Sequence, residues 1–206
     1  MHIKICGITT LQDARSAIDA GADYLGFNFH PASPRSISAK ACSEMTSVLS
    51  REYPQVRRVG VFVNMPLDEV RSILEGCGLD LAQLHGDETP QDLAALGARA
   101  FKAFRGVPLD VNGYARLEAP ALLLDAAAKN EYGGTGRTAD WPAAAELAKK
   151  FPMFLAGGLN PENVAAAVKQ VKPWGVDVAS GVESSPGRKE AQKLEAFVRA
   201  ARQDTL

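Results

Sequence analysis

Side chains that can carry protons stand at the ends of three apolar segments in this 206-residue sequence. Cys6 ends "HIKIC", His85 follows "LAQL" and Asp125 ends "LLLD". A thiol, an imidazole and a carboxyl group are all used by enzymes to take up and release protons. The three residues are far apart in the chain, so the elements that carry them decide whether they form a site.

Strand-like and helix-like segments alternate along the whole chain. Amphipathic stretches such as "LQDARSAIDA" and "PENVAAAVKQV" have apolar residues at helical spacing. We count eight βα units, and such alternation indicates a parallel sheet. Short apolar runs predict the strands, at 2–6, 24–29, 57–63, 81–85, 100–104, 121–126, 153–157 and 175–180.

Eight units of about 25 residues each match the small end of the (β/α)8 barrel range. The competing fold is an open doubly wound sheet, which usually has fewer strands and a glycine-rich turn after the first one. The first strand is instead followed by "GITT". The sequence therefore predicts an α/β protein with one (β/α)8 TIM barrel domain over residues 1–206.

The alternation of side chains along a strand predicts which residues face the barrel interior. If Ile3 and Ile5 pack outward under the helices, Lys4 and Cys6 face inward. The same alternation turns Asp177 inward on the eighth strand, which neighbours the first when a barrel closes. Because an unpaired buried charge is costly, we expect Lys4 and Asp177 to approach each other.

Three small, glycine-rich turns follow the last three strands. Barrels commonly bind phosphate with backbone N–H groups of the loops after strands 7 and 8. The turn "GGTGR" alone is explained equally well as a tight turn, but three such turns at adjacent strand ends favour a phosphate-bearing ligand. The residues expected to bind it are Gly134, Gly136, Gly157, Gly158, Ser180 and Gly181.

Composition and charge narrow the class of partner. The formal net charge is −1, with Lys and Arg spread along the chain, which is unlike the basic surface of a nucleic-acid-binding protein. The apolar runs are too short to span a bilayer. Cys6, Cys42 and Cys77 form no zinc-binding motif, and we see no signal peptide. We expect a cytoplasmic protein with a small-molecule substrate and no nucleic-acid or membrane partner.

Seven stretches, in family order from residue 4 to about 190, resemble the phosphoribosylanthranilate isomerases of tryptophan biosynthesis. The most specific are "KICG", "QLHGDE" and "GGTG" followed by "DW". The resemblance implies a (β/α)8 fold and a cofactor-independent Amadori rearrangement, with no metal. The substrate would be a phosphorylated aminosugar, N-(5-phosphoribosyl)anthranilate. We expect a monomer or a homodimer. The other matching stretches are "FHPASPRSI", "VGVFVN", "AGGLNPENV" and "VDVASGVESSPGRKE".

The resemblance implies that Cys6 is the general base and Asp125 the general acid. From the residues alone, a packed thiol is the favoured interpretation of Cys6, and the family match reverses it. Lys4, on the same face, would favour the thiolate. Desolvation at the barrel mouth would raise the pKa of Asp125 and keep it protonated. The alternative for Asp125 is a helix N-cap or a loop turn.

The resemblance also implies substrate-binding residues. Arg35 in "SPR" would bind the anthranilate carboxylate, a pairing that suits the planar guanidinium; the alternative is an ordinary surface arginine. His85 would hydrogen-bond substrate, or be structural. Asp177 would contact a substrate hydroxyl, or simply pair with Lys4. His30 stands where many family members have an aromatic residue, and we assign it no role.

Two other functions remain open at this point. A metal-dependent sugar-phosphate epimerase on the same fold could use His30, His85, Asp125 and Asp177 as ligands. A sensor of a phosphorylated ligand could keep the barrel without the chemistry, and fold alone does not distinguish it from an enzyme.

Overall fold

The computed structural model describes residues 1–115, 117–125 and 140–203. Within them, parallel strands pair in chain order and the last pairs with the first, so that they close a barrel. The predicted (β/α)8 barrel is confirmed, and the strand ends differ from the expected ones by at most two residues. The barrel strands are β1 (His2–Cys6), β2 (Tyr24–Asn28), β3 (Arg57–Phe62), β4 (Leu81–Leu84), β5 (Ala100–Arg105), β6 (Leu122–Asp125), β7 (Met153–Ala156) and β8 (Gly175–Val178).

Both faces of the strands are buried, as in other parallel barrels, and each face has its own apolar cluster. Outward-facing side chains such as Ile3, Ile5 and Leu25 pack under the helices. Inward-facing side chains, among them Phe101 and Phe154, fill the interior. The buried polar side chains of the barrel strands are Lys4, Gln83, Lys102 and Asp177.

The described helices lie outside the barrel. They are α1 (Leu11–Asp19), α2 (Ala39–Glu52), α3 (Leu67–Gly76), α4 (Pro90–Leu96), α5 (Trp141–Ala148), α6 (Val164–Val171) and α7 (Ala191–Arg202). Side chains cap the first turns of α1, α2, α4 and α5. Thr10 accepts a hydrogen bond from the backbone N–H of Asp13, and Thr89 and Asp92 cap each other's backbone N–H groups. None of these helices is both long and apolar enough to cross a membrane.

The segment after β5 corrects the expectation of eight complete βα units. Residues 106–115 and 117–121 form turns and bends, with no helix among them. Gly106 and Gly113 have φ values of 77° and 78°, outside the helical region. Pro108 also lacks the N–H group that a helix interior uses. Local backbone chemistry therefore prevents a helix here, although the strand on each side forms.

A short antiparallel hairpin between β8 and α7 was not predicted. Its strands are β9 (Glu183–Ser185) and β10 (Arg188–Lys189). Thr9, in the loop after β1, donates a hydrogen bond to the Gly187 carbonyl at 2.6 Å. Gly187 also lies against the carbonyl oxygen of Pro34, which a Cβ would approach to 3.3 Å. The hairpin is thus attached to the loops that follow β1 and β2.

Candidate active site

The ion pair between Lys4 and Asp177 lies inside the barrel, at the seam between β1 and β8. The two residues are register partners, and Lys4 Nζ is 2.7 Å from Asp177 Oδ1. Lys4 is fully buried. Burial alone would lower the pKa of Lys4, but Asp177 and Cys6 together outweigh it, and the pKa is raised. The predicted pair is confirmed, and Lys4 keeps its charge.

Cys6 lies next to this pair, and Gly26 of β2 makes room for both. A Cβ on Gly26 would lie 2.8 Å from Cys6 Sγ and 3.2 Å from Lys4 Nζ. Burial raises the pKa of the Cys6 thiol, while Lys4 and Lys189 act to lower it. Lys4 therefore acts to lower the pKa of the thiol, as predicted, but desolvation raises that pKa by more.

His85 and Asp125 face each other at the mouth. His85 Nε2 is 3.9 Å from Asp125 Oδ2, and His85 Nδ1 lies 3.2 Å from the side-chain nitrogen of Gln83. Burial, followed by Lys4 and other nearby cations, lowers the pKa of His85 to about 4. The imidazole is therefore neutral near pH 7. In the tautomer in which Nδ1 accepts from the Gln83 amide, Nε2 carries the proton and faces Asp125.

Arg35 is held in place rather than exposed on the surface. Its Nε is 2.9 Å from Glu183 Oε1 and its Nη2 is 2.7 Å from Oε2, a two-point contact with the hairpin. The stem of Arg35 packs over Gly7, where a Cβ would lie 2.6 Å from Arg35 Cδ. Gly7 has φ 75°, a conformation that favours glycine. The residue after Cys6 thus supports Arg35.

Sequence reasoning missed Glu183 and Lys189. Lys189 Nζ is 2.8 Å from Glu183 Oε1 and 3.0 Å from the Ala179 carbonyl oxygen. Burial would raise the pKa of Glu183, but Arg35 and Lys189 outweigh it and lower that pKa, so the carboxylate stays ionised. The "SPG" turn between the two residues was an available sign of a hairpin.

The two loops predicted to bind phosphate lie side by side after β7 and β8. Gly157 and Gly158 have φ values of 99° and 67°. Ser180 and Gly181 belong to a 3₁₀ turn, and a Cβ on Gly181 would overlap the Leu159 carbonyl oxygen. Only glycine allows this approach of one loop to the other. Gly134 and Gly136 lie outside the described residues.

The side chains considered for a metal do not gather into a binding group. Among the described residues, no three or more His, Cys, Asp or Glu side chains are placed to hold an ion. His30 lies in the loop after β2, where its backbone N–H donates to Asn28 Oδ1 at 2.8 Å. The structure therefore does not assemble His30, His85, Asp125 and Asp177 as the epimerase alternative requires.

A (β/α)8 barrel with a thiol, a carboxyl group and an imidazole at the carboxyl ends of its strands defines the chain as a barrel enzyme. Comparison with known proteins assigns the family. The family model described as N-(5'phosphoribosyl)anthranilate (PRA) isomerase matches residues 3–200. The chain belongs to this family of isomerases.

Relatives and solved structures match nearly the whole chain. A protein of Magnetococcus marinus named N-(5'-phosphoribosyl)anthranilate isomerase is 48% identical to this chain. The match covers 98% of this chain and 95% of that protein. A protein of the same name from Pelobacter propionicus is 45% identical, and the match covers 98% of this chain and 96% of that protein. The crystal structure of phosphoribosyl anthranilate isomerase from Thermotoga maritima has a TM-score of 0.88 at 36% identity and covers 98% of this chain and 99% of that one.

A further solved structure contains a ligand. It is phosphoribosyl anthranilate isomerase in complex with reduced 1-(o-carboxyphenylamino)-1-deoxyribulose 5-phosphate. Its TM-score is 0.83 at 34% identity, covering 98% of this chain and 99% of that chain. That ligand carries a phosphate and an aromatic carboxylate at its two ends.

Proposed function

We propose that this chain converts N-(5-phosphoribosyl)anthranilate to 1-(2-carboxyphenylamino)-1-deoxyribulose 5-phosphate in tryptophan biosynthesis. One arrangement carries the proposal: Cys6 and Asp125, on β1 and β6, end at the same barrel mouth. The loops after β7 and β8 are on one side of that mouth, and Arg35 follows β2. A sugar phosphate with an aromatic carboxylate fits such an arrangement.

In the first step Asp125 acts as the general acid. It donates a proton to the furanose ring oxygen as the bond between that oxygen and C1 breaks. The anilino nitrogen lone pair forms the C1=N double bond, which gives an iminium ion and leaves Asp125 as a carboxylate. Proton donation at this point avoids an unstable alkoxide leaving group, the usual benefit of general acid catalysis.

In the second step Cys6 acts as the general base. Its thiolate removes the proton from C2, and the electrons of that C–H bond form C1=C2 while the iminium nitrogen is neutralised. The resulting enolamine becomes the ketose when C1 takes up a proton and the C2 hydroxyl loses one. Because burial raises the pKa of Cys6, the thiolate depends on the positive charges around it.

The ends of the substrate are held by groups that the chemistry does not use. The phosphate binds backbone N–H groups of the loops that contain Gly157–Gly158 and Ser180–Gly181. The anthranilate carboxylate binds the Nη1 side of Arg35, since Glu183 occupies the Nε and Nη2 side. The neutral His85 donates a hydrogen bond to a substrate oxygen, and Asp177 keeps Lys4 paired.

The experiment is a measurement of turnover by anthranilate-type fluorescence, started by adding purified protein to freshly prepared N-(5-phosphoribosyl)anthranilate. We expect rapid fluorescence decay that a chelator does not change. Cys6→Ala and Asp125→Ala should each lower kcat by about 100-fold or more, the scale of a lost acid or base. Cys77→Ala and Asp68→Asn remove the same groups away from the mouth and should leave kcat near wild type.

Each contrary result has a definite meaning. No decay with the wild-type protein would reject the proposed reaction and favour a non-catalytic sensor. Decay abolished by the chelator would favour the metal-dependent alternative. A near wild-type rate in Cys6→Ala or Asp125→Ala would remove that residue from the mechanism.

A further inference from the structure

The hairpin of β9 and β10 brings a second buried lysine towards Cys6. Thr9 donates a hydrogen bond to Gly187 at the hairpin tip, and the carbonyl of Pro34 in the loop after β2 lies against the same residue. The side chain of Lys189, on β10, is fully buried. Its Nζ donates a hydrogen bond to the carbonyl of Ala179, just after β8. β8 pairs with β1, so this contact anchors the Lys189 ammonium beside the strand that ends in Cys6.

Charged groups from four elements interact with Cys6 or with its immediate neighbours. The cations are Lys4 on β1, Arg35 after β2 and Lys189 on β10, and all three interact electrostatically with the thiol. The carboxylates are Asp177 on β8, paired with Lys4, and Glu183 on β9. Within the part of the chain that the structure describes, Glu183 is thus shared by two cations. The buried ammonium of Lys189 therefore shares its carboxylate with Arg35.

We propose that Lys189 is a positioning residue for the reaction, whose ammonium, together with Lys4, stabilises the thiolate of Cys6 and so prepares it as the base. The inference rests on the proposed function of Cys6. Lys4 has a carboxylate of its own, whereas Lys189 shares Glu183 with Arg35.

The two lysines differ in a way that supports this assignment. The pKa of Lys4 is raised despite complete burial, since Asp177 compensates it. Burial lowers the pKa of Lys189, although Glu183 and Cys6 act in the opposite direction. The shared carboxylate therefore does not fully compensate Lys189, and a thiolate nearby would supply the missing negative charge.

The test measures how fast iodoacetamide alkylates Cys6 as a function of pH, with the labelled peptide identified by mass spectrometry. Cys6 is partly exposed at the mouth, whereas Cys42 and Cys77 are buried. We expect Lys189→Met to slow alkylation near pH 7 by roughly tenfold, because only the thiolate reacts. Glu183→Gln should speed it, since Lys189 and Arg35 lose their shared counterion. Lys189→Arg, which keeps the charge, should retain most of the wild-type rate.

Lys193→Met is the matched control for hairpin stability. Lys193 Nζ donates to the Glu183 backbone carbonyl at 2.9 Å, so its loss loosens the hairpin without changing the cations that act on the thiol. We expect its alkylation profile to match the wild type. The ascending limb of kcat/KM against pH should move to higher pH in Lys189→Met and stay in place in Lys193→Met.

The inference is overturned if Lys189→Met and Lys193→Met slow alkylation equally, or if Lys189→Met and Glu183→Gln shift it in the same direction. Either result would show a purely structural effect. If the Lys189→Met variant does not fold, the alkylation rates of Glu183→Gln and Lys189→Arg test the inference instead. Failure of the proposed function is seen separately, as full turnover by Cys6→Ala, whatever the alkylation rates show.

Discussion

Lys4 Nζ and Asp177 Oδ1 lie 2.7 Å apart inside the barrel and join its first strand to its last. A buried ion pair adds little net stability over an apolar pair of similar size, yet removing one partner leaves an uncompensated charge. The pair therefore penalises any register of β1 and β8 that separates the two residues. It also keeps a cation next to Cys6.

Removal of Lys4 should destabilise the fold more than removal of a surface cation. We expect Lys4→Met to lower the free energy of unfolding by about 3–5 kcal/mol, because Asp177 stays buried without its partner. Urea unfolding measures this change. Arg71→Met, which breaks an exposed pair with Asp68, should cost less than about 1 kcal/mol. Recovery in the double variant Lys4→Met/Asp177→Leu is also expected; a loss as large as in Lys4→Met would contradict this explanation.

Stability should depend on pH through His85. The folded pKa is about 4, below the ordinary value of 6.5, so between these values the unfolded chain binds more protons. Stability therefore falls as the pH is lowered through this window, by about 3 kcal/mol from this group. Urea unfolding at several pH values tests it, with His85→Gln as the variant that lacks the group. An equal pH dependence in His85→Gln would show that other groups cause it.

The contact between the loops after β7 and β8 should matter for phosphate binding. In Gly181→Ala the new Cβ meets the Leu159 carbonyl, so the two loops must move apart. We expect KM for the phosphorylated substrate to rise by roughly 10- to 100-fold, the scale of a misplacement near 1 Å. Gly76→Ala is the control, because nothing lies within 4 Å of a Cβ there. An unchanged KM in Gly181→Ala would remove these loops from the phosphate site.

Arg35 should contribute to binding of the carboxylate end of the ligand and not to binding of its phosphate. In Arg35→Met the inhibition constant of anthranilate should rise by about tenfold or more, since a charge-assisted hydrogen bond is lost. The inhibition constant of inorganic phosphate should stay the same. Arg15→Met removes a similar two-point contact, with Glu52 on the outer helices, and should change neither constant. Equal weakening of both ligands in Arg35→Met would indicate a general distortion of the mouth instead.

Local patterns were sufficient for the barrel and for part of the site. The parity of Lys4 and Cys6 on β1, and of Asp177 on β8, follows from a two-residue period that needs no knowledge of distant contacts. The ion pair followed once the barrel was known to close. The absence of a helix after β5 could also have been predicted, because Gly106, Pro108 and Gly113 all disfavour a helix. The regular alternation of strands and helices elsewhere led to the wrong prediction.

The surroundings of Arg35 and Cys6 could not be predicted in the same way. The contact of Arg35 with Glu183 spans 148 residues, and it exists because the β9–β10 hairpin folds back on the loops after β1 and β2. The sign of the pKa shift of Cys6 depends on burial competing with Lys4 and Lys189, which are separated by most of the chain.

The sequence by itself determined the strand order, the inward sides of β1 and β8 and the strand ends at which the reactive groups stand, because backbone periodicity and turn chemistry act over a few residues. The tertiary structure decided which cations share a carboxylate, which side of Arg35 is already occupied and how strongly the thiol is desolvated. Those properties depend on distances and burial among residues far apart in the chain, and they exist only when the barrel has closed.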